Sequence, residues 1–165
     1  MHVTHRITPC LWFDHQAEEA AAFYVSIFKN STITAIHRYS KAGYDIHKQS
    51  AGSVMTVSFE LDGQAFTALN GGPVFTFTEA VSLQVNCDTQ EEVDYYWEKL
   101  SKGGDAGAQQ CGWLKDKYGL SWQIVPTMLP KMLKDHESPK AQRVMEAMLR
   151  MKKIDIRALE RASAG

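Results

Sequence analysis

Asn70-Gly71-Gly72-Pro73 is the stretch that orders the rest of the chain. Its glycines tolerate left-handed backbone, and its proline lacks the amide proton that a helix or sheet would use. Neither a strand nor a helix runs through such a stretch, so it divides the 165 residues into two parts. The elements on its two sides follow the same order.

Upstream, residues 7–13 alternate Ile7, Leu11 and Phe13 against Thr8, Cys10 and Trp12, which predicts a strand. Pro9 points to an edge or a strand start. The spacing of Ala20, Phe23, Tyr24, Ile27 and Phe28 predicts a helix over 17–28, with Glu18 and Glu19 favourable in its first turn. A second strand is expected over 33–39 and a polar, Gly-punctuated loop over 41–52. Strands over 54–61 and 64–70 then form a hairpin across Asp62-Gly63.

Downstream, residues 82–87 alternate Leu83, Val85 and Cys87 against Ser82, Gln84 and Asn86. Thr89 and Glu92 have the spacing of a capping box, opening a helix over 89–101 with Val93, Tyr96, Trp97 and Leu100 on its apolar face. Gly103-Gly104 stops it. Strands are expected over 109–114 and 121–126, joined around Tyr118-Gly119. Gly63-Gln64-Ala65-Phe66-Thr67 and Gly119-Leu120-Ser121-Trp122-Gln123 also rhyme, each a glycine turn with an aromatic three residues on.

The expected class is α+β, with a first module over 1–73, a second over 74–130 and a helical extension over 131–165. In the extension, Ser138-Pro139 is an N-cap followed by a proline at the first helical position. It opens a helix over 139–151, and a shorter helix follows over 154–162. The Met148 and Met151 face is either core filler or a partner-subunit surface.

Eighteen Lys and Arg against nineteen Asp and Glu give a net charge of −1, which supplies no basic field for nucleic acid. No apolar run reaches the roughly 18 residues of a membrane span. Three cysteines are too few for a disulfide scaffold. Met1-His2-Val3-Thr4-His5-Arg6 runs into the first strand without an apolar signal segment, so a cytoplasmic location is expected.

Several segments resemble the PhnB-like branch of the vicinal oxygen chelate superfamily, which includes glyoxalase I, bleomycin-resistance proteins and extradiol dioxygenases. They are Ile7-Thr8-Pro9-Cys10-Leu11-Trp12-Phe13-Asp14, Ala20-Ala21-Ala22-Phe23-Tyr24 and Leu69-Asn70-Gly71-Gly72-Pro73. The run from Cys111-Gly112-Trp113-Leu114-Lys115-Asp116 to Pro126 and the segment 143–160 carry it further. The resemblance implies two βαβββ modules curling sheets around a cavity, in a homodimer. Proteins of this kind often carry the label 3-demethylubiquinone-9 3-methyltransferase. The residues do not support that chemistry, because Gly71-Gly72 and Gly103-Gly104 close elements instead of opening a methyl-donor turn.

The resemblance also implies four strand positions for metal ligands, usually His or Glu. Register places Thr8, Thr67, Ser82 and Gln123 there. Two threonines, a serine and an amide offer neither an anionic oxygen nor an imidazole, so no metal and no cofactor are expected. The remaining lining is Cys10 and Trp12 beside Thr8, Cys111 and Trp113 on the 109–114 strand, and Asn70 at the mouth. Such a set suits a small hydrophobic or aromatic ligand held by stacking and a few amides. Trp97 and Trp122 are equally read as barrel filling. The three thiols lack a sequence-adjacent base and read as structural. Lys115, Asp116 and Lys117 read as a solvated charged turn.

The leading expectation is a small-molecule-binding homodimer without nucleic-acid or membrane partners. The alternative is a metal-dependent glyoxalase- or dioxygenase-type enzyme drawing on His37, His47, Glu60 or Glu79. A third reading makes the C-terminal helices an interaction module on a core that folds without them.

Overall fold

The structure is a computed structural model that describes residues 5–165. The reading of the segment before the first strand falls largely on residues 1–4, outside the described residues. The chain separates into two compact units, divided between Thr76 and Phe77.

The first unit runs β1 (Cys10–Phe13), α1 (Ala17–Ile27), β2 (Thr32–Arg38), α2 (Tyr44–His47), β3 (Val54–Leu61) and β4 (Gln64–Asn70). Its sheet has the order β1-β4-β3-β2, with β1 parallel to β4. Alternation turns Leu11, Phe13, Val57, Phe59, Phe66 and Ala68 inward, where they meet Ala17, Ala20, Ala21, Tyr24 and Ile27 of α1. The Phe59 ring stacks between Tyr24 at 6.4 Å and Phe66 at 5.5 Å. Burying such rings stabilises the layer by roughly 1.5–3 kcal/mol each. Asp62 and Gly63 carry φ of 47° and 79°, the left-handed pair that a two-residue hairpin turn requires.

Two sequence expectations change here. Strand β1 begins at Cys10 and leaves Ile7 83% exposed, because Pro9 contributes only its carbonyl, which accepts from Thr67 N at 2.9 Å. The expected loop 41–52 contains one helical turn, α2, bounded by left-handed Gly43 and Lys48.

The second unit runs β5 (Ser82–Cys87), α3 (Gln90–Ser101), β6 (Trp113–Lys115), β7 (Ser121–Pro126), α4 (Leu129–Met132), α5 (Pro139–Leu149) and α6 (Ile156–Ala164). Thr89 caps α3 by accepting from Glu92 N, while Glu92 accepts from Asp88 N. The sheet has three strands in the order β5-β7-β6, one fewer than the first unit. Where β2 stands in the first unit, the second has a 3-10 turn, Ala106–Ala108, capped by Asp105.

The strand expected over 109–114 is therefore corrected. Gln110 and Trp113 pair across Cys111 and Gly112, whose φ values are 52° and 84°. Positive φ at both central residues makes this a two-residue hairpin turn, and only 113–115 remain extended.

The last third of the chain completes this unit. Leu129, Val144, Ile154 and Leu159 form a buried cluster, with Val125 of β7 and Met132, Met148 and Met151 packed against it. Met148 and Met151 are thus half-buried against this cluster. Cys111 N donates to Met151 O, and Gly112 N to Lys152 O, both at 2.8 Å. Gln90 ties the same segment to α3 by accepting from Ile156 N and donating to Ile154 O.

Candidate functional site

In the second sheet, Val85, Cys87, Leu114, Trp122 and Ile124 face Val93 and Leu100 of α3. The two-residue period then sends Gln84, Trp113, Gln123 and Val125 to the opposite face. Register aligns Gln84, Gln123 and Trp113 in one cross-strand row, and Ser82, Ser121 and Lys115 in the next. Gln123 Nε2 donates to Ser82 Oγ at 2.9 Å, and Gln84 Nε2 to Asn86 Oδ1 at 2.9 Å. Lys115 Nζ reaches Glu79 Oε1 at 2.5 Å.

The C-terminal helices raise an apolar wall beside this face, and a cavity of about 680 Å³ lies between them. Glu79, Gln84, Gln110 and Gln123 supply its polar side, and Cys111 and Trp113 the middle. Val125, Leu129, Pro130, Leu133, Met148 and Leu149 supply the apolar side. Three positions singled out in the sequence, Cys111, Trp113 and Gln123, meet here, with Ser82 bonded to Gln123. Cys111 reaches the cavity from a turn and not from a strand. The glycine after it was the available signal, since glycine suits the second central position of such a turn. Sequence reasoning missed Gln84, Gln110 and the apolar wall, which depend on where the chain past Pro126 returns.

In the first unit, Cys10 pairs with Thr67 and Trp12 with Leu69 across β1 and β4, all on the face away from α1. Thr8 is exposed ahead of β1. The Trp12 indole N–H donates to Gly72 O at 2.9 Å, and its ring meets Phe75 edge-on at 4.9 Å. Asn70, expected at a cavity mouth, is 6% exposed with both amide atoms engaged. Its Oδ1 accepts from Ala17 N at 2.8 Å and its Nδ2 donates to Val54 O at 3.1 Å, joining the start of α1 to β3.

The charged turn is also corrected. Asp116 is 2% exposed, and its carboxylate accepts from Tyr118 N, Leu120 N and Trp122 Nε1. Lys115 is held by Glu79, whose carboxyl is lowered below its usual range chiefly by that hydrogen bond.

The thiols differ in setting. Burial, with smaller contributions from Glu92 and Asp88, pushes Cys87 up to about 12, and burial alone raises Cys10. Both are protonated near neutral pH and are poor nucleophiles.

Neither half of the four-position metal set fits a divalent ion. Thr8 and Thr67 offer neutral hydroxyls, and Ser82 and Gln123 are already bonded to each other. Among the described residues no three His, Cys, Asp or Glu side chains converge. His47 accepts from Gln49 N at Nδ1 and meets Ala42 O at Nε2, so both ring nitrogens are engaged. The glycine pairs have packing roles instead of a donor-binding one. A side chain at Gly71 would run into the Trp12 indole, and one at Gly104 into the Lys115 carbonyl.

Residues 5–125 match the family described as 3-demethylubiquinone-9 3-methyltransferase. Among solved structures, the PhnB protein of Bacillus cereus is 38% identical, covering 74% of this chain and 100% of its own, with a TM-score of 0.65. Protein PA1353 of Pseudomonas aeruginosa is 18% identical over 74% of this chain and 98% of its own, with a TM-score of 0.57. The fosfomycin resistance protein FosX of Listeria monocytogenes, complexed with Mn(II) and sulfate, is 16% identical over 82% and 99%, with a TM-score of 0.53. The last two speak to the fold alone. No curated protein matches the chain.

Proposed function

The chain belongs to the family described as 3-demethylubiquinone-9 3-methyltransferase, on the PhnB-like vicinal oxygen chelate fold, and on that premise we propose that it binds a small hydrophobic or aromatic molecule. The observation that carries this reading is the 680 Å³ cavity of the second unit. Its volume lies within the roughly 300–1,000 Å³ of small-molecule sites. Trp113 offers a ring face, Leu129, Leu133 and Met148 offer a deformable apolar wall, and glutamine amides orient polar edges.

Binding in this reading calls for no metal at Thr8, Thr67, Ser82 and Gln123, since those side chains offer only neutral oxygens and nitrogen. The open face of the first unit, with Cys10, Trp12 and Thr67, is the counterpart surface. The protein works as a cytoplasmic homodimer, and three unpaired cysteines suit a reducing compartment.

A native mass spectrum of protein purified without chelators tests all of this together. The expected species is a metal-free dimer that gains the mass of one small aromatic compound per cavity when that compound is added. A stoichiometric divalent metal would overturn the metal-free reading. Failure of every aromatic probe to add mass would overturn the ligand class.

A further inference from the structure

We infer that the polar end of the second unit's cavity takes an oxyanion of the carboxylate or sulfonate class carried by an apolar ligand, with Lys115 exchanging Glu79 for it. This rests on the ligand-binding reading above and adds a charge preference to it.

Lys115 and Glu79 are held unequally. Lys115 stands on β6, in register with Ser121, and its side chain is 23% exposed. Glu79 lies in the turn before β5, is 65% exposed, and lines the cavity while reaching Lys115. The cation is fixed and the anion is replaceable. A cationic ligand bound to Glu79 would instead strand the more buried ammonium, which is the costlier exchange.

The neighbours of Lys115 in its cross-strand row are donors. Ser82 Oγ accepts from Gln123 Nε2, which leaves its own O–H proton to give. Ser121 is 1% exposed, and its Oγ has no hydrogen-bond partner among the described residues. A buried hydroxyl without a partner carries a desolvation cost that an acceptor oxygen would relieve. Ser121 is the cross-strand partner of Lys115, so this hydroxyl lies beneath the strand pair that carries the ion pair. The adjoining row, Gln84, Gln123 and Trp113, leads from these donors into the cavity.

Two dyes sharing one ring system separate the charge preference from cavity binding: N-phenyl-1-naphthylamine, which is uncharged, and 8-anilinonaphthalene-1-sulfonate. Fluorescence titration of the full-length protein gives a dissociation constant for each, and their ratio is the readout. Glu79→Gln should shift the ratio about fivefold towards the sulfonate, the upper range for an exposed ion pair. Lys115→Gln should shift it at least as far the other way, and Lys115→Arg should restore it. Circular dichroism spectra matching the parent establish that each variant is folded. If the uncharged dye binds and the ratio is the same in all four proteins, the oxyanion assignment is overturned and cavity binding stands. If neither dye binds the parent, both readings fall.

Discussion

The Trp122 indole N–H points 2.9 Å to a carboxylate oxygen of Asp116, six residues earlier, and both side chains are almost wholly buried. The other carboxylate oxygen gathers Tyr118 N at 2.8 Å and Leu120 N at 3.1 Å. One acidic group therefore closes the Lys117-Tyr118-Gly119 turn and fixes the tryptophan on β7 that packs beneath α3. Asp116→Ala leaves three donors without their acceptor, at about 1 kcal/mol or more each. We expect a loss of at least 3 kcal/mol in urea unfolding, and Asp116→Asn should recover only part of it. A loss below 1 kcal/mol would mean that water replaces the carboxylate and that the turn does not depend on it.

Gly71 and Trp12 are matched in a comparable way in the first unit. The indole occupies the space that a Gly71 side chain would need, and it is anchored to Gly72 O. Gly71→Ala must displace the ring, and overpacking of this kind costs about 1–3 kcal/mol. Trp12→Phe vacates part of the same space and deletes one hydrogen bond worth about 1 kcal/mol. The double variant should therefore be more stable than the sum of the two single changes predicts, by at least 0.5 kcal/mol in thermal unfolding. Strict additivity would show that the two positions do not share that space.

These pairings mark how much the sequence could disclose. Strands β3, β4, β5 and β7 lie at their expected residues, because each has a two-residue period, and glycine turns end β3 and β4 and precede β7. The α+β order was legible for the same reason. Cys111 and Asp116 were misplaced because each does an unusual thing for its type. A cysteine takes a left-handed turn position, and an aspartate between two lysines turns inward to three donors. The cavity wall was illegible, since Leu129, Leu133 and Met148 read as amphipathic helix wherever they pack. Only the return of residues 151–154 onto the Cys111-Gly112 turn fixes that place.

Cys87 sets the expected response to alkaline pH. Its thiol is pushed up to about 12 in the folded chain, while an unburied thiol ionises near 9. A group raised on folding favours the native state fully below its unfolded value and loses that contribution as pH climbs to the folded one. Stability should therefore fall between about pH 9 and pH 12, by a few kcal/mol at most from this group. Lysines and tyrosines titrate in the same window, so the comparison is with Cys87→Ala, whose stability should fall less steeply. Parallel slopes for the two proteins, measured by urea unfolding at stepped pH, would remove the thiol as a cause.

The third reading of the sequence, a detachable C-terminal interaction module, meets a physical objection. Ending the chain after Pro126 uncovers Val125, leaves Cys111 N and Gly112 N without Met151 O and Lys152 O, and opens one wall of the cavity. Four buried side chains leave with it, each worth roughly 1.5–3 kcal/mol of burial. That total is comparable to the whole stability of a small domain, about 5–15 kcal/mol. The truncated protein should lose the dispersed amide NMR signals of residues 82–126. A milder probe is Gly112→Ala, whose new Cβ would lie 2.9 Å from Ile124 O and 3.2 Å from Ile154 Cγ1 at a φ of 84°. It should loosen residues 150–155 specifically, read as faster hydrogen exchange at the Cys111 and residue 112 amides than at Val57 in the first unit. Uniform exchange across the two units would mean that the C-terminal segment does not brace this turn.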